Sequence, residues 1–123
     1  MRDLLWVGLG GFLGANARYL LGAWIAARLG TTFPYGTFVI NVTGSFVLGV
    51  IMGLLDAHVL APAIRLSLAI GFVGAYTTFS TFTYETLRLI ESGSLFLATA
   101  NVVGSVVVGM VAAVVGLAAG RAL

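Results

Sequence analysis

Residues Gly71 to Glu85 read GFVGAYTTFSTFTYE, and the reading of this stretch decides the architecture. It lies within an apolar run, yet five of the seven positions from Thr77 to Thr83 carry hydroxyl groups. Phe79 and Phe82 stand among them at i, i+3, Gly71 and Gly74 precede them, and Glu85 closes the stretch. In a soluble protein this would be an odd helix. In a membrane it reads as a functional centre, because polar groups in hydrocarbon are costly unless they line a cavity or meet a partner.

The rest of the chain supports the membrane reading. Its 123 residues are 60% hydrophobic and 8% charged, with a mean hydropathy of +1.12. An ordinary soluble domain is about 25% charged. Four spans of ~20–25 residues use nearly the whole length, so residues 1–123 read as one four-span domain with no room for a soluble catalytic unit. The spans fall at about 4–27, 36–55, 66–88 and 95–119. The amino-terminal run has the charged start of a signal peptide, but Asn16 and Arg18 interrupt it, and it reads as the first span.

Several function classes drop out. There is no cysteine and a single histidine, so thiolate metal sites and disulfides are excluded and His58 reads as a solvated loop residue. The net charge of +2 comes from six scattered arginines, which form no basic patch and give no sign of nucleic-acid binding. No catalytic triad, carboxylate pair or phosphate loop is present, and the chain does not read as an enzyme.

Within span one, Gly10 and Gly14 form a small-xxx-small pair that lets another helix approach closely. Arg18 lies past mid-span with about ten mostly apolar residues still to follow, which favours a buried, partnered role. Pro34 forces the next helix to start just after it. In span two, Thr37, Asn41 and Ser45 recur every four residues and put a polar stripe on one face, which reads as the lining of a pore. Span three is expected to break: Gly71 and Gly74 relax its backbone, and β-branched threonines lower its helix propensity. A break frees main-chain groups that persist at depth only where they line water, protein or an ion. Glu85, with Arg88 one turn away, reads as an ion pair near the span end. In span four, Asn101 and Ser105 share a face with Gly109.

Outside the spans, Arg2, Arg65 and Arg121 lie on the side of the termini and Arg28 and Arg88 on the other. Three against two is almost no bias, so the chain has little vote on its orientation. Copies inserted both ways would pair as an antiparallel homodimer, which reproduces the inverted repeats of transport proteins. Amide and hydroxyl donors of spans two and three, with the positive edges of Phe79 and Phe82, suit a small anion. Freed carbonyls near Gly74 and Thr77 suit a hard cation instead. The residues alone do not choose the ion.

Three motifs together carry a resemblance: GGFLGANARY (Gly10 to Tyr19), PYGTFVINVTGSFVLG (Pro34 to Gly49) and the Gly71 to Glu85 stretch. In their order and spacing they resemble the bacterial CrcB/Fluc fluoride channels over nearly the whole chain. The resemblance implies an all-α, four-span protein with the third helix broken at mid-membrane, assembled as a dual-topology homodimer in the bacterial inner membrane. It implies two fluoride pathways and a structural sodium ion at the dimer centre, with passive export of fluoride from the cytoplasm. Carried over by position, Phe79 and Phe82 match the pore-lining aromatic pair, and Asn41 the pore asparagine. Ser80 and Thr81 match the polar positions beside the rings, and Ser105 a pore-facing serine. Arg18 matches an arginine near the aqueous vestibule, and Glu85 the acid after the aromatic pair. Gly74 and Thr77 match the positions whose carbonyls hold sodium. This chain departs where some relatives carry a tyrosine at Asn101, a serine at Gly109 and Gly-Gly at Ala75-Tyr76. Two other readings compete: an ion-coupled small-ion exporter of the small four-span type, which would usually need a mid-span acid, and a structural membrane subunit, which would not need the TTFSTF run.

Overall fold

A computed structural model describes residues 1–123, apart from the side chains of Pro62 and Ala63. The chain is all-helical among the described residues. Helix α1 spans Arg2–Leu29 and α2 spans Tyr35–Asp56, starting immediately after Pro34. The third apolar stretch is assembled from pieces: α3 (Pro62–Arg65), a π-helical segment Leu66–Val73, α4 (Gly74–Tyr76) and α5 (Phe79–Glu91). Helix α6 then runs over Leu95–Ala122. Four stretches, Arg2–Leu29, Tyr35–Asp56, Leu66–Glu91 and Leu95–Ala122, are long and apolar enough to cross a membrane.

The expected boundaries hold to within a few residues, with one shift. Part of the segment expected as loop, from Asp56 to Arg65, is helical, because α2 runs through Asp56 and Pro62 opens α3. Proline suits a first helical turn, where its missing N–H would have no partner and its φ is already helical.

Two turns end in the same device. After α2, the N–H of Val59 reaches Leu54 O at 2.9 Å and that of His58 reaches Leu55 O at 3.1 Å. After α5, Ser94 N bonds Leu89 O at 2.8 Å and Gly93 N bonds Ile90 O at 3.0 Å. Both are Schellman closures, which need a left-handed residue at the turn. Gly93 meets this at φ 77° without strain; His58 takes φ 60° with a side chain in place.

The helices meet through glycine. Gly49 and Gly53 of α2 lie against the backbone of Ala113 and Leu117, while Gly116 and Gly120 of α6 lie against Phe46 and Val50. Gly10 and Gly14 of α1 lie on the carbonyls of Ser67 and Phe72 in the π-helical segment, and Gly71 answers from that segment with a Cβ position 2.7 Å from Val7 O. With so little side chain between them, the backbones pack closely. That is how helices gain van der Waals contact where lipid offers no hydrophobic drive. Asp56 and Arg121 close one end with bonds of 2.7 and 3.0 Å to the same carboxylate oxygen.

Helix α5 has no buried residue, unlike α1, α2 and α6. Its tie to α6 runs through Asn101, which is fully buried and donates to Thr86 Oγ1 at 2.9 Å.

Candidate ion pathway

The helical path of the third stretch is interrupted at Thr77 and Thr78, which take extended conformations (φ −76°, ψ 157° and φ −150°, ψ 113°). The interruption falls beyond the glycines expected to cause it; Gly74 itself is helical at φ −62°. At two of its amides the helical acceptor is replaced by another. In a continuous helix, Thr78 N would bond Gly74 O and Thr81 N would bond Thr77 O. Here Thr78 N donates to Asn41 Oδ1 at 2.8 Å. Thr81 N donates to Thr78 Oγ1 at 3.3 Å, so Thr78 becomes the N-cap of α5. Asn41 completes the clamp with Nδ2, which donates to Thr78 O at 3.1 Å.

The amides of residues 78 to 81 leave the ladder, so the carbonyls of residues 74 to 77 all lose their helical donors. Gly74 O and Thr77 O are two of these four, and they are the pair matched above to a cation site. Neutral carbonyl oxygens are hard ligands, so their chemistry fits sodium. Thr77 O has one further neighbour: Arg18 Nη1 approaches it at 3.5 Å, the outer limit of a hydrogen bond.

Two cavities flank the interruption, and Thr78 lines both. The larger, ≈ 710 Å³, is bounded by Arg18, Thr37, Thr78, Thr81, Glu85 and Arg88 among others. The smaller, ≈ 300 Å³, is bounded by Asn41, Ser45, Thr77, Thr78, Phe79, Phe82 and Ser105, with Gly44, Leu48, Val73 and Val106 completing the wall. The polar stripe of α2 therefore runs along both: Thr37 faces the larger, and Asn41 and Ser45 the smaller. The rings of Phe79 and Phe82 lie 5.8 Å apart at their centroids and are tilted by 38°. Phe79 is 76% exposed on the single chain.

The remaining expected residues fall as follows. Ser105 Oγ lies 3.4 Å from Asn101 Oδ1 while lining the smaller cavity. Ser80 is exposed, lines neither cavity and touches Thr78 Oγ1 only at 3.4 Å. Asn41 reaches the cavity wall, but its carboxamide is engaged with Thr78, which leaves one N–H free. The expected pairing of Glu85 with Arg88 is not formed. Arg88 Nη1 instead binds Glu91 Oε2 at 2.8 Å, at the exposed end of α5. Glu85 turns towards the larger cavity, with Oε2 buried and unpartnered within the chain.

Three features escaped sequence reasoning. The capping role of Thr78 was readable in principle, since a threonine three residues before Thr81 at the head of a helix is an N-cap pattern. The Asn101–Thr86 bond and the Tyr76–Thr43 hydroxyl contact join residues 15 and 33 positions apart, and no local pattern announces them.

Fold and site together define a small multi-pass membrane protein with two cavities beside an interrupted helix. The chain belongs to the CrcB family: the model for "CrcB-like protein, Camphor Resistance (CrcB)" matches residues 5–117. A protein of Acidobacterium capsulatum named fluoride-specific ion channel FluC is 54% identical over 118 residues, covering 95% of this chain and 94% of that one. Proteins of the same name from Geotalea daltonii and Chloroflexus aurantiacus are 45% and 43% identical over 122 residues, covering 98% of this chain and 98% and 97% of their own lengths.

Proposed function

We propose that this protein is a fluoride-selective channel that lets fluoride leave the bacterial cytoplasm passively across the inner membrane. The observation that carries the proposal is the smaller cavity. Asn41, Ser45, Thr77, Ser105, Phe79 and Phe82 line it together. Fluoride is small and strongly hydrated, and a pathway must replace its water with donors. The free Asn41 N–H and the positive rims of the phenyl rings supply these, and the hydroxyls join by turning their protons from Asn41 O, Val73 O and Asn101 Oδ1 towards the ion. Arg18 in the larger cavity draws an anion towards it, with Thr81 and Glu85 on the same wall. The relatives' names give the ion. The exporter reading has no support from the spans, whose interior holds no Asp or Glu at mid-length.

The working unit in this reading is an antiparallel homodimer with two pathways, the third helix of each copy broken at mid-membrane. Helix α5 supports it, since a helix with no buried residue and a phenylalanine 76% exposed has a face left for a second copy. At the dimer centre Gly74 O and Thr77 O of each copy would hold sodium, whose role there is structural: it neutralises carbonyls that the interruption leaves without donors.

Reconstitution into liposomes tests the function. Rapid fluoride efflux without a coupling gradient, with chloride retained, is expected; a requirement for a proton or sodium gradient would establish the exporter instead.

A further inference from the structure

Tyr76 is the last helical residue before the interruption, and its ring is 9% exposed. It stacks on Phe72 with centroids 5.8 Å apart and planes 12° from parallel. Its hydroxyl lies 2.8 Å from Thr43 Oγ1 on α2. Thr43 Oγ1 also lies 2.7 Å from Val39 O, one turn back on its own helix. A hydroxyl has one proton, and a carbonyl can only accept. Thr43 therefore donates to Val39 O, and Tyr76 is the donor to Thr43.

The pair has a counterpart two residues away. Asn41 holds Thr78 on the far side of the interruption, and on a helix residues 41 and 43 point about 200° apart. Gly44 lies between them, against Tyr76 Cδ1 and the Thr77 methyl, so a side chain there would push the segment away. The segment Tyr76–Thr78 thus saddles α2 at Gly44, held by Tyr76–Thr43 on one flank and Thr78–Asn41 on the other. The Thr77 carbonyl lies between these two anchors. Neither Tyr76 nor Thr43 lines the smaller cavity, so neither meets a permeating ion there.

We propose that Tyr76 and Thr43 form a positioning pair that orients the Thr77 carbonyl towards a bound sodium ion, and so sets the affinity of that site. The inference rests on the sodium reading above. Without the pair, the Asn41 clamp and the bonds of Thr77 to Val73 O still hold the segment, but its Tyr76 flank is no longer fastened to α2, and the angle at which the peptide presents Thr77 O shifts.

The test is thermal unfolding of the purified full-length protein in detergent, at constant ionic strength, with sodium replaced stepwise by N-methylglucamine. The wild-type Tm rises with sodium and gives a half-saturating concentration. Tyr76→Phe, which keeps the ring and its stacking, and Thr43→Val, which keeps the shape, are each expected to raise that concentration about 2- to 12-fold, the worth of one hydrogen bond. Thr43→Ser restores the wild-type value. A purely structural role would lower Tm equally at all sodium concentrations and leave the half-point in place. That outcome, in a wild type that does respond to sodium, overturns the pair. A wild-type Tm that ignores sodium overturns the sodium site itself, and the pair's role towards it falls with it.

Discussion

Replacing Asn41 by aspartate changes two atoms' worth of chemistry and tests the clamp and the pathway together. The Thr78 N–H bond at 2.8 Å survives, because a carboxylate oxygen accepts as Oδ1 did. The bond from Nδ2 to Thr78 O at 3.1 Å is lost, and a carboxylate oxygen faces a carbonyl oxygen instead. Stranding that carbonyl costs ~1–3 kcal/mol. The charge matters more for transport. A cavity of ≈ 300 Å³ keeps any anion inside it close to the new carboxylate. At a separation of ~4–6 Å and an effective dielectric constant of ~20, repulsion is about 3–4 kcal/mol. At 1.4 kcal/mol per decade, occupancy by fluoride falls about 10²- to 10³-fold. The assay is fluoride efflux from liposomes loaded with potassium fluoride, triggered with a potassium ionophore and followed by a fluoride electrode. Incorporation is matched between variants by quantitative blotting. Asn41→Asp is expected to flow at a small fraction of the wild-type rate. A rate within threefold of wild type would refute the placement of an anion beside Asn41.

Phe79→Ile and Phe82→Ile keep apolar bulk but remove the ring edges; each is expected to cut fluoride flux at least tenfold while the elution volume on size-exclusion chromatography stays that of wild type, and undiminished flux in both would remove the ring-edge role. Thr78→Ala deletes the cap of α5 and is expected to cost ~1 kcal/mol of stability in thermal unfolding. Thr78→Ser should match wild type, so equal losses in Ala and Ser would refute the capping role. His58→Gly relieves a left-handed side-chain position and is expected to stabilise the protein by ~1 kcal/mol; an unchanged Tm would show that the turn carries no strain.

The helical framework was legible because it is written in local currency. Long apolar runs gave the four stretches, Pro34 gave the start of α2, and the pair Gly10/Gly14 gave one of the close contacts. The interruption was foreshadowed by its threonines and by the freed carbonyls expected near Gly74 and Thr77, but the glycines credited with relaxing the backbone, Gly71 and Gly74, are themselves helical. Glycine permits a bend but does not choose it. The choice was made by acceptors offered to specific amides, and one of them, Asn41 Oδ1, comes from a helix 37 residues earlier in the chain. The same non-locality hid the partner of Tyr76. It also misdirected the pairing of Arg88, which had acids three residues away in both directions. The acid on the exposed side formed the ion pair, because Glu85 lies on the face turned towards the larger cavity.

The two proposed ion sites are close neighbours for a reason that lies in hydrogen-bond arithmetic. A helix consumes each N–H with a carbonyl four residues back, so no amide can leave the ladder without stranding an oxygen. Four amides leave here, those of residues 78 to 81, and two of them are drawn to Asn41 Oδ1 and Thr78 Oγ1. The stranded oxygens are those of residues 74 to 77, and Gly74 O and Thr77 O among them are the pair proposed to hold a cation. The same extended turn brings Thr77, Thr78 and the ring of Phe79 to the wall of the smaller cavity, beside the Asn41 amide that an anion needs as a donor. A cation at those carbonyls would offset both their charge density and the field felt by an anion beside them.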